Sequence, residues 1–239
     1  MCTVIIRVPV QPNDAVRVLA IRDEDPHRPW DRLGEWWPDT HHGIAGVRDA
    51  RAGGAWLAAQ ATSSRFAVLL NRADLASLPE SELHSRGNIV LDAASGVLPT
   101  APVATHGFNL VTVADGIARV FTWDGVALTE TALSPGTHMI AHDGINDEST
   151  PRIARWLDQF RSAPLSADPK WWTSWVEILD SSTTLDSTDD RAIIRDNRPH
   201  GYPTLSLLAC AVSVSASGVD ARYGELAEPG KWGSGIDLA

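Results

Sequence analysis

Apolar and polar positions alternate along short stretches of this chain, and a period of two residues is typical of half-buried β-strands. Residues 2–8 alternate in this way, and residues 205–215 form a more continuous apolar run that predicts a buried strand. The other stretches with strand character are residues 16–21, 43–47, 55–60, 66–70, 109–113, 118–123, 126–131 and 220–226. Turn residues separate many of them, including Asp115-Gly116 and Asp124-Gly125, which favour tight hairpins. We therefore predict antiparallel strands, with a hairpin of residues 2–8 and 16–21 and a β-meander from residue 43 onwards.

Two later stretches have the helical period instead. Thr150-Pro151 places a proline at a first helical position, and the apolar residues after it recur at helical spacing: Ile153, Trp156, Leu157 and Phe160. A second helix is predicted over residues 170–179, where core packing explains the tryptophan-rich apolar face. Residues 77–95 are predicted to be helical or irregular. Residues 23–40 hold three prolines, which exclude a regular helix and predict a long polar loop.

The order of the predicted elements is strands, then helices, then strands, and such segregation favours an α+β fold over an alternating α/β fold. No composition shift marks a boundary, so residues 1–239 are predicted to form a single domain. No apolar run approaches the roughly 20 residues that cross a bilayer, which predicts no stable membrane insertion. The N-terminus lacks a signal-peptide pattern, and we expect a cytoplasmic protein.

The net charge of -10 disfavours binding to nucleic acid, because an acidic surface repels phosphate backbones. The two cysteines, Cys2 and Cys210, have no metal-site spacing. The sequence therefore predicts no metal site and no required cofactor. A disulfide between the two is not expected in a reducing compartment, and Cys210 lies in an apolar run that favours burial.

Cys2 is a candidate nucleophile if methionine excision makes it the first residue. Its own α-amine, with a pKa of roughly 7.7–8.0, could then take the proton of the thiol. Arg22 and Asp23 end the second predicted strand, and antiparallel pairing brings that end beside Cys2. Arg22 would lower the thiol pKa, and Asp23 would hold or orient the amine. An inconsequential surface pair of Arg22 with Asp23 is an equally good interpretation of the spacing alone.

Several short motifs follow one another in a fixed order. They are Met1-Cys2-Thr3, Arg22-Asp23-Glu24, Arg28-Pro29, Val47-Arg48-Asp49, GGAWL at residues 53–57, RFAVLLNR at residues 65–72, Ser85-Arg86-Gly87, GFNL at residues 107–110 and LSPGTH at residues 133–138. This ordered set resembles the NRDE family, also called the transport and Golgi organisation protein two family. The resemblance covers residues 1 to about 142, with a weaker echo over residues 202–212.

The resemblance implies an N-terminal-nucleophile hydrolase-like fold, a four-layer αββα sandwich of two antiparallel sheets between helices. It also implies Cys2 as nucleophile, Arg22 and Asp23 as its charged partners, and Asn71 as an oxyanion donor. The chain departs from the family pattern at three places: Ile21 replaces Asn, Ala141-His142 replaces Ser-Asn, and Thr204-Leu205 replaces Thr-Arg. Asn146 and Arg198 are candidates to supply the missing amide and guanidinium groups.

Two functions are therefore expected, and the altered motifs favour the first slightly. The first, implied by the resemblance, is binding or trafficking of a small amphipathic ligand such as haem or acyl-CoA. Its candidate ligand-binding residues follow Asp23: Arg28, Trp36, Trp37, His41 and His42. Imidazole can ligate haem iron, and arginine can meet phosphate; a surface loop with scattered aromatic residues explains the same pattern. The alternative function is a cysteine amidohydrolase that cleaves a non-peptide C–N bond in an amide substrate.

Overall fold

The computed structural model of the protein describes residues 2–73, 79–166 and 169–239. Its strands are β1 (Thr3–Val8), β2 (Val16–Glu24), β3 (Trp30–Gly34), β4 (Ala45–Asp49), β5 (Ala55–Gln60), β6 (Arg65–Asn71), β7 (Phe108–Ala114), β8 (Ile117–Trp123), β9 (Leu128–Ala132), β10 (Gly136–Ile140), β11 (Leu205–Ser215) and β12 (Gly218–Glu225). The helices are α1 (Gly87–Ser95), α2 (Pro151–Ser162) and α3 (Thr173–Ser182). Within the described residues, no helix is long and apolar enough to cross a membrane.

The strands form two antiparallel sheets. One has five strands in the order β10-β1-β2-β11-β12, and the other has seven strands, β3 to β9, in chain order. Every strand pair is antiparallel, which confirms the predicted hairpin of β1 with β2 and the predicted meander. The α+β fold class is therefore confirmed.

Alternation of side chains along the strands divides the apolar core into three layers. In β1, Val4 and Ile6 point towards the seven-stranded sheet, whereas Ile5 points towards α2 and α3. A third cluster lies between the other face of the seven-stranded sheet and α1. The resulting order is helices, sheet, sheet, helix, because each sheet buries both of its faces.

The tryptophan-rich face of α3 belongs to the core, as the helical spacing predicts. Trp175 of α3 is buried, as is Trp171 just before the helix begins, and their rings meet edge to face with centroids 5.6 Å apart. Trp175 also meets Phe160 of α2 edge to face at 5.8 Å. The contact between Trp175 and Phe160 joins α3 to α2, and both residues belong to the core cluster that also contains Ile5 of the five-stranded sheet.

Two strands lie where none was predicted. β3 lies within residues 23–40, so the prediction of a continuous loop there was wrong, although no regular helix occurs. β3 is an edge strand without a fully buried residue, and its sequence therefore lacks apolar alternation. β10 begins at Gly136, directly after Pro135, and pairs with β1. Residues 77–95 were predicted to be helical or irregular. Residues 79–86 are irregular apart from one 3-10 turn, and α1 follows them. Residues 77 and 78 lie outside the described residues.

Candidate functional site

A cavity of about 360 Å³ opens where the start of β1, the end of β2 and the start of α1 meet. Thr3 pairs with Ile21, so Cys2 lies next to Arg22 and Asp23 at one end of the five-stranded sheet. All three residues line the cavity, as does Asn71 at the end of β6 in the other sheet. The cavity thus brings together the four residues that the resemblance implies for catalysis.

Cys2 is a buried thiol at the cavity wall. Its Sγ lies 3.7 Å from the backbone oxygen of Asp23. Burial raises the pKa of the Cys2 thiol, and the charge of Asp23 raises this pKa further. The positive charge of Arg22 lowers the pKa of the Cys2 thiol, as expected, but the effect of burial is larger. A thiol with a raised pKa is mostly protonated at neutral pH, so a nucleophilic role for Cys2 would require a nearby base.

A β-bulge opposite Arg22 and Asp23 helps to aim their side chains. In β11 the pairing shifts between Ser206, which faces Asp23, and Leu208, which faces Arg22. Bulges bend a strand and redirect side chains near functional sites. Arg22 reaches towards Trp30 of the other sheet, whereas Asp23 reaches towards residues that precede β11.

Asp23 is a buried carboxylate that two side chains hold in place. The Ser206 hydroxyl donates to Oδ1 at 2.6 Å, and Nδ2 of Asn197 donates to Oδ2 at 3.4 Å. Ser206 in turn accepts from the backbone N–H of Arg195 at 2.9 Å, and Arg195 Nε donates to Asn197 Oδ1 at 2.8 Å. This network fixes the orientation of the carboxylate beside the Cys2 thiol.

Arg22 is 3% exposed and only weakly paired. Its Nη2 lies 3.5 Å from Glu24 Oε2, and its guanidinium lies 5.9 Å from the Trp30 ring centroid. Its Nη1 has no hydrogen-bond partner among the described residues. The same holds for Nε1 of Trp56, another buried residue in the cavity wall.

A polar clasp, which we define as Trp30, Arg32, Tyr223 and Glu225, joins the edges of the two sheets next to Arg22. Trp30 Nε1 donates to the Tyr223 hydroxyl at 3.0 Å, and this hydroxyl donates to Glu225 at 2.6 Å. Arg32 completes the clasp with two hydrogen bonds to Glu225. The polar clasp holds Trp30, and with it the ring that faces Arg22.

A second buried cation, Arg152, approaches the site from the first turn of α2. Its Nη2 lies 3.3 Å from Nδ1 of His142. Burial lowers the pKa of Arg152 to about 10, while the charges of Asp23 and Cys2 oppose that shift. Burial and the charge of Arg152 also lower the pKa of His142. Arg152 therefore adds positive charge behind Asp23.

Neither candidate for the missing family residues lies in the cavity wall. Asn146 binds the backbone of Met139 and the His138 ring, so it closes a turn after β10. Arg198 is exposed and paired with Asp196. Arg152 and Asn197 occupy the surroundings of Asp23 instead. The sequence did not reveal either residue. Arg152 and Asn197 lie about 130 and 174 positions from Asp23 along the chain, and only folding brings them close to it.

The predicted ligand-binding residues separate into two groups. Arg28 lines the cavity and donates to Asp49 through Nε at 2.7 Å. The described part of the cavity wall does not include the other four, Trp36, Trp37, His41 and His42. Trp37 is buried beneath α1, and Trp36 bonds the Arg32 carbonyl from a half-exposed position. His41 faces Asp92, and His42 is exposed.

The raised pKa of Cys2 predicts slow alkylation of this thiol at neutral pH in the chain that keeps Met1. A raised pKa leaves less thiolate at any given pH, so the rate should increase only above about pH 8.5, the value of an ordinary thiol. Ionisation of a thiol whose folded pKa is raised also lowers the stability of the fold as the pH rises. Mass-mapped alkylation against N-acetylcysteine checks this; a midpoint below that of the free thiol would contradict it.

Comparison with known families agrees with the ordered motifs. No curated protein matches the chain significantly. A family model described as Transport and Golgi organisation 2 matches residues 1–224, which is nearly the whole chain and includes every residue of the cavity wall named above. The match also extends over the Asp23 network in β11, which the motifs covered only weakly. The chain belongs to the Transport and Golgi organisation 2 family.

Proposed function

We propose that this protein is a cysteine hydrolase that cleaves a non-peptide C–N bond of an amide, with Cys2 as its nucleophile. One observation carries the proposal: a single cavity gathers Cys2, Arg22, Asp23 and Asn71 from both sheets. The proposal requires removal of Met1, because the amine of Cys2 is then the base closest to its thiol.

The proposed reaction has two stages. The Cys2 amine takes the thiol proton, and the sulfur attacks the amide carbon to form a C–S bond. A donor such as Asn71 stabilises the oxyanion, and the ammonium proton passes to the leaving nitrogen as the C–N bond breaks. Water then attacks the thioester, giving a carboxylic acid and restoring the thiol. The Asp23 carboxylate, held by Ser206 and Asn197, would keep the charged amine in position.

Intact mass and trapping of the covalent intermediate test the proposal. The untagged protein should lack Met1, and an activated acyl ester should add one acyl group that maps to Cys2. Cys2→Ala should lose this acylation and any amide turnover completely, since the nucleophile is absent. Cys210→Ala is the matched control, because Cys210 is fully buried between the sheets and should leave acylation unchanged. Retention of Met1 together with an unreactive Cys2 would refute the proposal.

A second candidate function, binding of haem or acyl-CoA without cleavage, has a separate observation in its favour. His84, His106 and Arg86 line the cavity together with Arg28. Imidazoles could ligate haem iron there, and the arginines could meet the phosphates of acyl-CoA. Titration of the Cys2→Ala variant with each ligand tests this function. Saturable binding that His84→Ala or Arg28→Gln weakens would support it, and unchanged binding would oppose it.

A further inference from the structure

The N-terminus of α1 forms part of the cavity wall. Ser85, Arg86 and Gly87 line the cavity, and they form one of the family motifs to which the proposed hydrolysis assigns no role. The first turn of α1 has no acidic residue, and the N-cap residue Arg86 makes no side-chain capping hydrogen bond. A helix start carries positive partial charge and N–H groups without partners inside the helix. Here the Gly87 N–H donates to a neutral acceptor, the Ser85 hydroxyl, at 3.3 Å.

Two buried donors in the same wall point independently to a ligand. Arg22 Nη1 and Trp56 Nε1 have no acceptor among the described residues, and both side chains are more than nine-tenths buried. A buried N–H without an acceptor costs free energy, so such groups in a cavity wall are expected to find their acceptor in a bound molecule. The Arg22 donor is charged, which favours an anionic acceptor.

Two of the three carboxylates in the described cavity wall, Asp23 and Asp49, already accept hydrogen bonds from side chains. Asp49 accepts from Arg28, and Asp23 accepts from Ser206 and Asn197. Glu24 is the carboxylate next to Arg22, but their 3.5 Å contact is long for a charged hydrogen bond and involves Nη2, not Nη1. The start of α1 and the two buried donors are thus groups of the wall that an external oxygen anion would complement.

We infer that the cavity binds an anionic oxygen group, a phosphate or a carboxylate, through the start of α1, Arg22 and Trp56. The inference rests on the proposed function in one respect, that the anion is part of the molecule that Cys2 attacks. The substrate class would then be an anionic amide, in which the acidic group anchors the molecule while its carbonyl carbon meets the Cys2 sulfur. Such anchoring turns binding energy into correct orientation of the reacting atoms.

Titration with inorganic phosphate and with acetate tests the site, using the untagged full chain at constant ionic strength. Broadening of the phosphorus-31 NMR line reports phosphate binding, and the shift of the thermal unfolding midpoint reports binding of both anions. Asn88→Asp places a carboxylate in the exposed first turn of α1, where it suits the helix dipole and should not harm folding. It should weaken anion binding about fivefold by repulsion. Asn13→Asp makes the same change in the exposed turn at the far end of the β1–β2 hairpin and should have no effect.

Saturable binding that Asn88→Asp weakens and Asn13→Asp leaves intact would support the site, and the tighter of the two anions identifies its chemistry. Absence of saturable binding, or binding that both variants leave unchanged, would overturn it. The acylation of Cys2 separates this result from the proposed function. If the protein binds anions but Cys2 is unreactive, the anion site is supported and the proposed hydrolase is refuted. If Cys2 is reactive but no anion binds, the hydrolase is supported and the anion site is refuted.

Discussion

Replacing Asp23 with alanine should lower the free energy of unfolding by about 3–5 kcal/mol, the cost of removing one partner from a buried charged network. The Ser206 hydroxyl and the Asn197 amide would each lose their acceptor on this carboxylate. The buried cations Arg22 and Arg152 would lose the negative charge of this neighbouring carboxylate. Urea unfolding of the variant and of the unaltered protein measures the difference.

Two further variants serve as comparisons for the stability loss of Asp23→Ala. Asp220→Ala removes a half-exposed carboxylate paired with Arg222, and such surface pairs contribute about 1 kcal/mol or less. Asp23→Asn keeps the shape but removes the charge and turns one acceptor into a donor, so its loss should be intermediate. A loss below about 1 kcal/mol for Asp23→Ala would show that its hydrogen bonds contribute little to stability.

The fold was largely predictable because its strands have local signals. Both β1 and β2 alternate between the two core layers, and Asp115-Gly116 forms the turn between β7 and β8 with positive φ angles at both residues. The start of α2 follows from Pro151 at its first position. In these places the local preference and the tertiary structure agree.

β3 and β10 had no comparable signal, because their partners make them strands. β3 adds to the meander at an edge, where half of the ladder is unpaired and apolar alternation is not needed. β10 runs antiparallel to β1, and the paired residues lie 128 to 136 positions apart in the chain, from Val8 with Gly136 to Val4 with Ile140. No periodicity within five residues reveals a pairing over that distance.

Only the part of the site that belongs to the β1–β2 hairpin could be predicted from the sequence. Antiparallel pairing of β1 with β2 is enough to place Cys2 beside Arg22 and Asp23, since Thr3 pairs with Ile21. The partners of Asp23 come from residues 197 and 206, and no local pattern connects these with residue 23. Proximity in sequence was misleading for Trp36 and His41, because β3 and the segment after it carry the chain away from the cavity.

Gly87→Ala should remove about 3 kcal/mol of stability and also disturb the cavity, because α1 and the start of β5 touch through their backbones here. A Cβ on Gly87 would lie 2.8 Å from the Gly54 Cα and 3.1 Å from the Ala55 nitrogen. No rotamer change relieves a clash between two backbones, so either α1 moves away or the sheet deforms. Since Gly87 lines the cavity, movement of α1 should also abolish anion binding. Urea unfolding and phosphate titration measure both effects.

The contact is reciprocal, which provides a test of its cause. A Cβ on Gly54 would lie 2.5 Å from the Gly87 Cα, so Gly54→Ala should show a similar loss. The double variant should lose less than the sum of the single losses, because the first displacement already opens the space for the second methyl group. Gly144→Ala is the control, since its Cβ would meet only the Asp147 side chain at 3.7 Å and should change stability by about 0.5 kcal/mol or less. If the losses of stability at Gly54 and Gly87 were additive, each glycine would be needed for its own backbone conformation. The close approach of α1 to the start of β5 would then not explain the losses.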